Sequence, residues 1–163
     1  MRIATVLLGA LIVAGCGIYS FSGSSLPSHL KTVTIPLINN QSMEPDVADE
    51  ITKELNRQIL ADNLLRIVSQ DGDATISGTV VSYTHEPFTF GAAETRQVDV
   101  QEYIVKIRAD IEFYDNVKDE ALFKETLEGQ GKYDFTKETE EDGRKRAVLD
   151  LVQRILQSSL QGW

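Results

Sequence analysis

The chain has 163 residues, about one domain's worth, and its 16 Lys and Arg against 25 Asp and Glu give a formal net charge of −9. This acidity argues against nucleic-acid binding, which needs an excess of basic side chains, and a single cysteine excludes an internal disulfide or a cysteine-rich zinc site. Two histidines, His29 and His85, leave little material for a histidine-based metal site or catalytic triad. We therefore expect no metal and no cofactor, and from the acidity no nucleic-acid partner.

The N-terminus predicts export and lipidation. Arg2 precedes an apolar run at residues 3–14, which as a helix would span about 18 Å, too short for a hydrocarbon core of about 30 Å. Such a pattern is typical of a signal peptide. Val13-Ala14-Gly15-Cys16 then resembles a bacterial lipobox, whose cysteine thiol receives a diacylglyceryl group. Cys16 as a small buried helix residue is the alternative, but Gly17 and a Ser/Gly-rich stretch follow at once.

These features divide the chain into a signal peptide at residues 1–15, a lipidated tether at 16–30 and one α/β domain at 31–163. Residue 17 is Gly and not Asp, so under the familiar bacterial sorting rule the lipoprotein is expected at the outer membrane, facing the periplasm.

The first half of the domain is predicted to be strand, helix and strand. Residues 31–38 alternate between apolar and polar, and Pro36 places this strand at an edge or at a strand end. Residues 39–42 read as a polar loop. Residues 45–62 form an amphipathic helix, and 64–68 a short strand closed by the turn at 71–73. The helix repeats apolar residues at every fourth position: Val47, Ile51, Leu55 and Ile59.

The second half adds three strands and a helix. Residues 74–83 form a strand with Ile76, Gly78 and Val80 on one face and Val81 and Tyr83 on the other, followed by a loop at 84–96. Residues 103–113 alternate cleanly, turn at 115–120 and return at 123–133, with Gly129 and Gly131 weakening that strand or marking a bulge. A last helix runs from about Glu138 to Leu160. Its predicted buried stripe is Leu149, Val152, Leu156 and Leu160, reinforced by Val148, Leu151 and Ile155.

This order predicts a two-layer α/β sandwich, in which two amphipathic helices pack on a mixed, mostly antiparallel sheet of four to five strands. Asp71-Gly72-Asp73 could begin a calcium loop, but the remaining ligands are missing and a hairpin turn fits better. The acidic residues at 138–142 suit a solvated helix start better than a carboxylate pair in a cleft. His85 has no nucleophile beside it in sequence, so we expect a protein that is not an enzyme.

Three basic residues are the candidates for ligand binding. Alternation places Lys106 and Arg108 about 7 Å apart on the polar face of their strand, with Arg96 in the preceding loop. Together they could bind a phosphorylated glycolipid. In the alternative, which we favour, Asp110, Glu112 and the neighbouring strands neutralise them in a mixed-charge sheet face.

An ordered set of short motifs then resembles the family of lipopolysaccharide-assembly lipoproteins (LptE). Residues 16–23 read CGIYSFSG, residues 31–36 read KTVTIP and residues 76–83 read ISGTVVSY. The helix start Glu44-Pro45, Glu102-Tyr103 at the head of the long strand, Gly131 with Tyr133, and the final Gly162-Trp163 follow in the family's order. The chain departs from the pattern in the inserted Ile18 and in its acidity.

The resemblance implies two helices on a mixed sheet and no covalent chemistry. It also implies a partner, the outer-membrane barrel LptD, which such proteins plug while helping to deliver lipopolysaccharide to the outer leaflet. Only Cys16 carries over as a functional residue; Arg96, Lys106 and Arg108 stay candidates for lipopolysaccharide contact. The alternative is an outer-membrane lipoprotein that activates peptidoglycan synthesis. Residues 17–31 reach only about 50 Å when extended, which favours a partner at the outer membrane itself.

Overall fold

The computed structural model describes residues 26–88 and 102–160, so the predicted signal peptide and most of the predicted tether lie outside it. Two helices and a six-stranded sheet form an α/β sandwich, which confirms the predicted fold class with a slightly larger sheet. In chain order the elements are β1 (Thr32–Thr34), β2 (Asn39–Asn40), α1 (Val47–Asp62), β3 (Arg66–Ile67), β4 (Ala74–Pro87), β5 (Glu102–Asp115), β6 (Glu120–Asp134) and α2 (Glu140–Leu160).

The sheet has the strand order β3-β1-β4-β5-β6, with β2 also paired to β4. β1 runs parallel to β3 and β4, whereas β4, β5 and β6 form an antiparallel meander. We call the end where Ala74 pairs with Asp115 the proximal end, because the chain enters β1 there, and the end where Pro87 pairs with Tyr103 the distal end. At about 3.3 Å per residue, the 14 residues of β4 separate the two ends by about 45 Å.

The strand predicted at 31–38 is interrupted, and part of the loop predicted after it is a strand. Thr32–Thr34 and Asn39–Asn40 both pair with β4, on either side of Pro36, which has no N–H to donate. The Gln41 backbone N–H continues this pairing by donating to the Val80 carbonyl at 2.9 Å.

The bulge in β4 makes one predicted face assignment wrong. Val80 pairs with Ala109, but the register then shifts, so Val81 has no partner and Tyr83 lies opposite Ile107 on the helix-covered face. An extra residue in one strand reverses the alternation beyond it. The strand also continues to Pro87, through part of the predicted loop.

The helices bury the predicted α1 stripe and most of the predicted α2 stripe. Val47, Ile51, Leu55 and Ile59 are all buried, and α1 ends where Asn63 turns left-handed and donates its N–H to the Ile59 carbonyl. α2 begins later than predicted, because Thr139 and Asp142 cap it reciprocally. Leu149, predicted to be buried, is 38% exposed. The sheet-facing stripe runs through Val148, Leu151, Val152, Ile155 and Leu156, and Leu149 points about 100° away from Val148.

Gly129 and Gly131 let α2 lie directly on β6. A Cβ at Gly131 would be 1.9 Å from the Gly143 carbonyl oxygen, and one at Gly129 would be 2.2 Å from that of Ala147. No register shift occurs at these glycines; the bulge in β6 is at Leu122. Their role is therefore close helix packing, and the predicted bulge here is wrong.

Candidate functional site

The helices cover one face of the sheet and leave the other face polar. Lys106 and Arg108 lie on this polar face, as predicted from their spacing. Lys106 Nζ forms an ion pair with Glu86 on β4, and the hydrogen bond from that carboxylate raises the pKa of Lys106 above its ordinary value. Arg108 Nε is 3.9 Å from Glu128 Oε2 on β6. Both cations therefore have carboxylate neighbours from the adjacent strands, as in the mixed-charge alternative.

The other sequence-derived candidates, Cys16 and Arg96, lie outside the described residues. Nothing in the structure therefore brings Arg96 together with Lys106 and Arg108.

Towards the proximal end, the polar face carries hydroxyls and pairs of opposite charge. Thr126 donates to Asp110 at 2.6 Å, and Lys124 donates to Glu112 at 3.2 Å. Together with Ser77 they line a shallow, open groove. Such a surface suits contact with a polar protein wall, because Lys106, Arg108 and Lys124 each have a carboxylate neighbour.

A cluster of polar and aromatic side chains joins the distal end of the sheet to the start of α2. Tyr133 Oη lies 2.7 Å from His85 Nε2, and His85 Nδ1 lies 3.3 Å from Glu140 Oε2. Tyr83 donates its hydroxyl to Glu140 Oε1 at 2.8 Å. Burial, and then this hydrogen bond to Glu140, raise the pKa of the Tyr83 hydroxyl above its usual range. His85 thus joins strand to helix, with no Ser or Cys among the contacts described for it.

The sequence alone did not reveal this cluster. Only the bulge at Val81 brings Tyr83 and His85 to the helix-covered face, and nothing local in the sequence places the bulge there. The tilted ring of Tyr103, 5.0 Å from His85 between centroids, completes the packing.

Arg144 joins the two helices beside this cluster. Its guanidinium contacts Glu44 at 2.5 Å and Glu50 at 3.1 Å, before and within α1. The arginine is largely buried between two carboxylates, so loss of either carboxylate would leave a buried charge less well compensated.

The acidic turn at the proximal end holds β1 in place. Asp73 Oδ2 accepts the backbone N–H groups of Lys31 and Thr32, each at 2.9 Å, and these bonds, led by that from Lys31, lower the pKa of Asp73. Residues 71–73 lie between β3 and β4, which flank β1 and both run parallel to it. The segment therefore does not join two antiparallel neighbours, and the predicted hairpin turn is wrong. Nearby, His29 Nε2 lies 2.6 Å from Asp115 Oδ2, which joins the chain entry to the end of β5.

The acidic residues at the start of α2 are likewise structural. Glu138 pairs with Arg146, and Glu141 pairs with Lys145 at 2.7 Å. Asp142 accepts the backbone N–H of Thr139 at the start of the helix. Within residues 26–88 and 102–160, no three His, Cys, Asp or Glu side chains are grouped so that they could hold a metal ion. No helix in those ranges has the length and apolar character to cross a membrane.

Comparison with known proteins gives one family and several similar folds. The model of the LptE family, described as lipopolysaccharide-assembly, matches residues 30–159. A search of curated proteins finds no match. Among solved structures, the PelC dodecamer of Paraburkholderia phytofirmans is similar with 20% identity over 86% of this chain and 95% of that one (TM-score 0.53).

Two further solved structures share the fold. The hypothetical protein CT253 of Chlamydia trachomatis is 7% identical over 79% of this chain and 95% of its own (TM-score 0.55). A minor lipoprotein of Acinetobacter baumannii is 15% identical over 80% and 93% (TM-score 0.50). At such identities these likenesses concern the fold alone.

Proposed function

The chain belongs to the lipopolysaccharide-assembly (LptE) family, and from that premise we propose that it is an outer-membrane lipoprotein that assembles with the LptD barrel and plugs it. The family match over residues 30–159 carries this proposal, because it spans nearly the whole predicted domain. The family acts in assembly and not in catalysis, which agrees with a polar sheet face of paired charges.

Lipidation of Cys16 would hold the domain at the inner leaflet of the outer membrane. Each buried acyl methylene contributes about 0.8 kcal/mol, so two or three chains anchor a protein durably. Residue 31 follows within about 50 Å of extended chain, which keeps the domain near a partner in the same membrane.

Two segments are the proposed barrel contacts: residues 84–97, of which 84–87 end β4, and the turn at 115–120. In the described part of the chain, Phe88 marks the distal end and Asn116 the proximal end, about 45 Å apart. The apolar band of an outer-membrane barrel is about 25 Å tall. A domain lying lengthwise in the lumen would therefore extend through this band, with its polar sheet face against the polar inner wall.

Lipopolysaccharide is the proposed ligand of Arg96, Lys106 and Arg108. The chain is acidic overall, so long-range attraction would not bring a phosphate to it. A phosphate would instead bind by displacing a carboxylate that neighbours one of these basic side chains. Arg108 is the more available of the two described cations, since its side chain is 57% exposed and lies 3.9 Å from Glu128. A glycolipid phosphate can take the place of Glu128 and bind the Arg108 guanidinium through two hydrogen bonds.

Photo-crosslinkers at Phe90 and Asn116 in living cells test the barrel contact. We expect crosslinks to one large β-barrel protein. Charge reversal at Arg96 or Lys118 should weaken co-purification of that barrel and leave the melting temperature of the domain unchanged, because the Lys118 pair with Glu120 is exposed and 3.7 Å long.

Two results would count against the proposal. Crosslinks to a penicillin-binding protein would favour the alternative function, activation of peptidoglycan synthesis. No barrel crosslink from either position, in cells where the domain is folded and anchored, would exclude the proposed contact geometry.

A further inference from the structure

β6 is an edge strand, and its backbone shows which groups point away from the sheet. Gln130 donates its N–H outward to Asp150 Oδ2 at 2.9 Å, and Asp134 donates its N–H to Glu138 Oε2 at 3.1 Å. In an antiparallel pair, inward and outward residues alternate. The even-numbered residues from Lys124 to Asp134 therefore direct both N–H and C=O away from β5.

Side chains of α2 and of the residues before it cap only the distal half of this edge. Besides Asp150 and Glu138, Arg146 donates to the Lys132 carbonyl at 2.6 Å. These side chains hydrogen-bond to the backbone groups with which a further strand would pair. Covering an edge in this way commonly prevents unwanted strand pairing.

The proximal half of the same edge, Lys124–Glu128, has no such cap. Among the described residues, nothing hydrogen-bonds to the outward backbone groups of Lys124, Thr126 or Glu128. The free distal edge of β4 differs, because Pro87 stands at an outward position there and has no N–H to offer. Within residues 26–88 and 102–160, side chains cap the distal half of the β6 edge and Pro87 interrupts the β4 edge, whereas Lys124–Glu128 has neither feature.

We propose that Lys124–Glu128 receives an extended segment of the partner barrel protein as an additional strand of the sheet. The inference rests on the proposed function and specifies how the partner is held. An extended polypeptide is the ligand whose donors and acceptors repeat at the spacing of outward groups on a strand, which neither a glycan nor an acyl chain reproduces.

The position of α2 excludes an antiparallel pairing with a second copy of this chain at that place. α2 lies directly over β6 at Gly129 and Gly131. Two copies paired in this way have both helix layers on one face, so their α2 helices would be about 5 Å apart, whereas packed helices need about 8–10 Å. An antiparallel incoming strand must therefore lack a helix layer of its own.

The side chains beside the open edge indicate what such a strand would carry. On one side Arg154, Gln157 and Ser158 of α2 border the edge with polar groups, which suits small or polar residues. On the polar sheet face, Lys124 and Glu128 favour a carboxylate and a basic group at matching positions.

Hydrogen exchange resolved to single amides tests the proposal, on the free chain and on the complex purified from detergent-solubilised outer membranes. In the free chain, the amides of Thr126 and Glu128 should exchange fast, while those of Glu125 and Leu127, which point to β5, exchange slowly. In the complex, the first two should slow by at least about tenfold, the effect of one added hydrogen bond of ordinary net strength.

Two variants at Thr126 separate the contribution of its backbone N–H from that of its side chain. Thr126→Pro removes the outward N–H, whereas Thr126→Val keeps it, and both lose the same side-chain hydrogen bond to Asp110. We expect the Pro variant to fold and to recover about tenfold less barrel than the Val variant. If the barrel co-purifies but both amides stay fast and the two variants behave alike, the added strand is refuted and the proposed function stands. If no barrel co-purifies, both are refuted.

Discussion

Gly131→Ala should detach α2 from β6 enough to lower the stability of the whole domain. The added Cβ would lie 1.9 Å from the Gly143 carbonyl oxygen and 2.6 Å from the Ala147 nitrogen. An ordinary contact is at least 3.4 Å, so the helix must move by about 3.4 − 1.9 = 1.5 Å. Both atoms belong to backbone, so no side chain can rotate away to make room.

That movement would open gaps beneath Leu151 and Ile155, which are fully buried. Overpacking of a core costs about 1–3 kcal/mol, and a rigid backbone contact places this substitution at the upper end, about 3 kcal/mol. For a domain of this size, 3 kcal/mol lowers the melting temperature by roughly 6–12 °C. Thermal unfolding followed by circular dichroism measures the change.

Gln130→Ala is the matched control, because the Gln130 side chain is exposed and points away from α2. It should melt within about 2 °C of the wild type. A Gly131→Ala variant as stable as that control would show that α2 does not lie against β6 as described.

Three further outcomes are expected. Burial would raise the pKa of Asp115, but hydrogen bonds from the Lys118 N–H and from His29 outweigh it and hold that pKa below its usual range. Asp115→Asn should therefore destabilise the domain most at neutral pH, and its difference from the wild type should shrink as the pH falls below the ordinary carboxyl range. Thermal melts from pH 7 to 3 measure this difference. Leu156→Ala should cost about 2–5 kcal/mol through the cavity it leaves, lowering thermal stability and barrel co-purification together. Cys16→Ser should abolish lipidation, so recovery of this variant in the outer membrane at wild-type levels, without the lipid mass increment, would refute the lipobox assignment.

Local patterns in the sequence predicted the helices and the long strands. α1 repeats apolar residues every four positions, and β5 alternates from Val105 to Phe113, so each element has only one face that can be buried. Features that depend on distant residues escaped prediction. β2 exists only because Thr79 and Val80 lie beside it, and Gly131 is explained by a helix that begins nine positions later.

In the candidate site too, the features set by local sequence were predicted and those set by distant residues were not. Alternation correctly placed Lys106 and Arg108 on the polar face, since a strand's period is local. Their partners Glu86 and Glu128 depend on the register of three strands, two of which contain a bulge. The cluster around His85 was missed for the same reason, because the bulge in β4 decides which face that residue occupies.

Purification of the lipidated chain from detergent-solubilised outer membranes, with identification of what accompanies it, tests the central proposal most directly. We expect one large β-barrel protein in stoichiometric amount, and less of it with the Lys118→Glu variant. Recovery of the folded, anchored chain without a barrel, or with a penicillin-binding protein in its place, would contradict it.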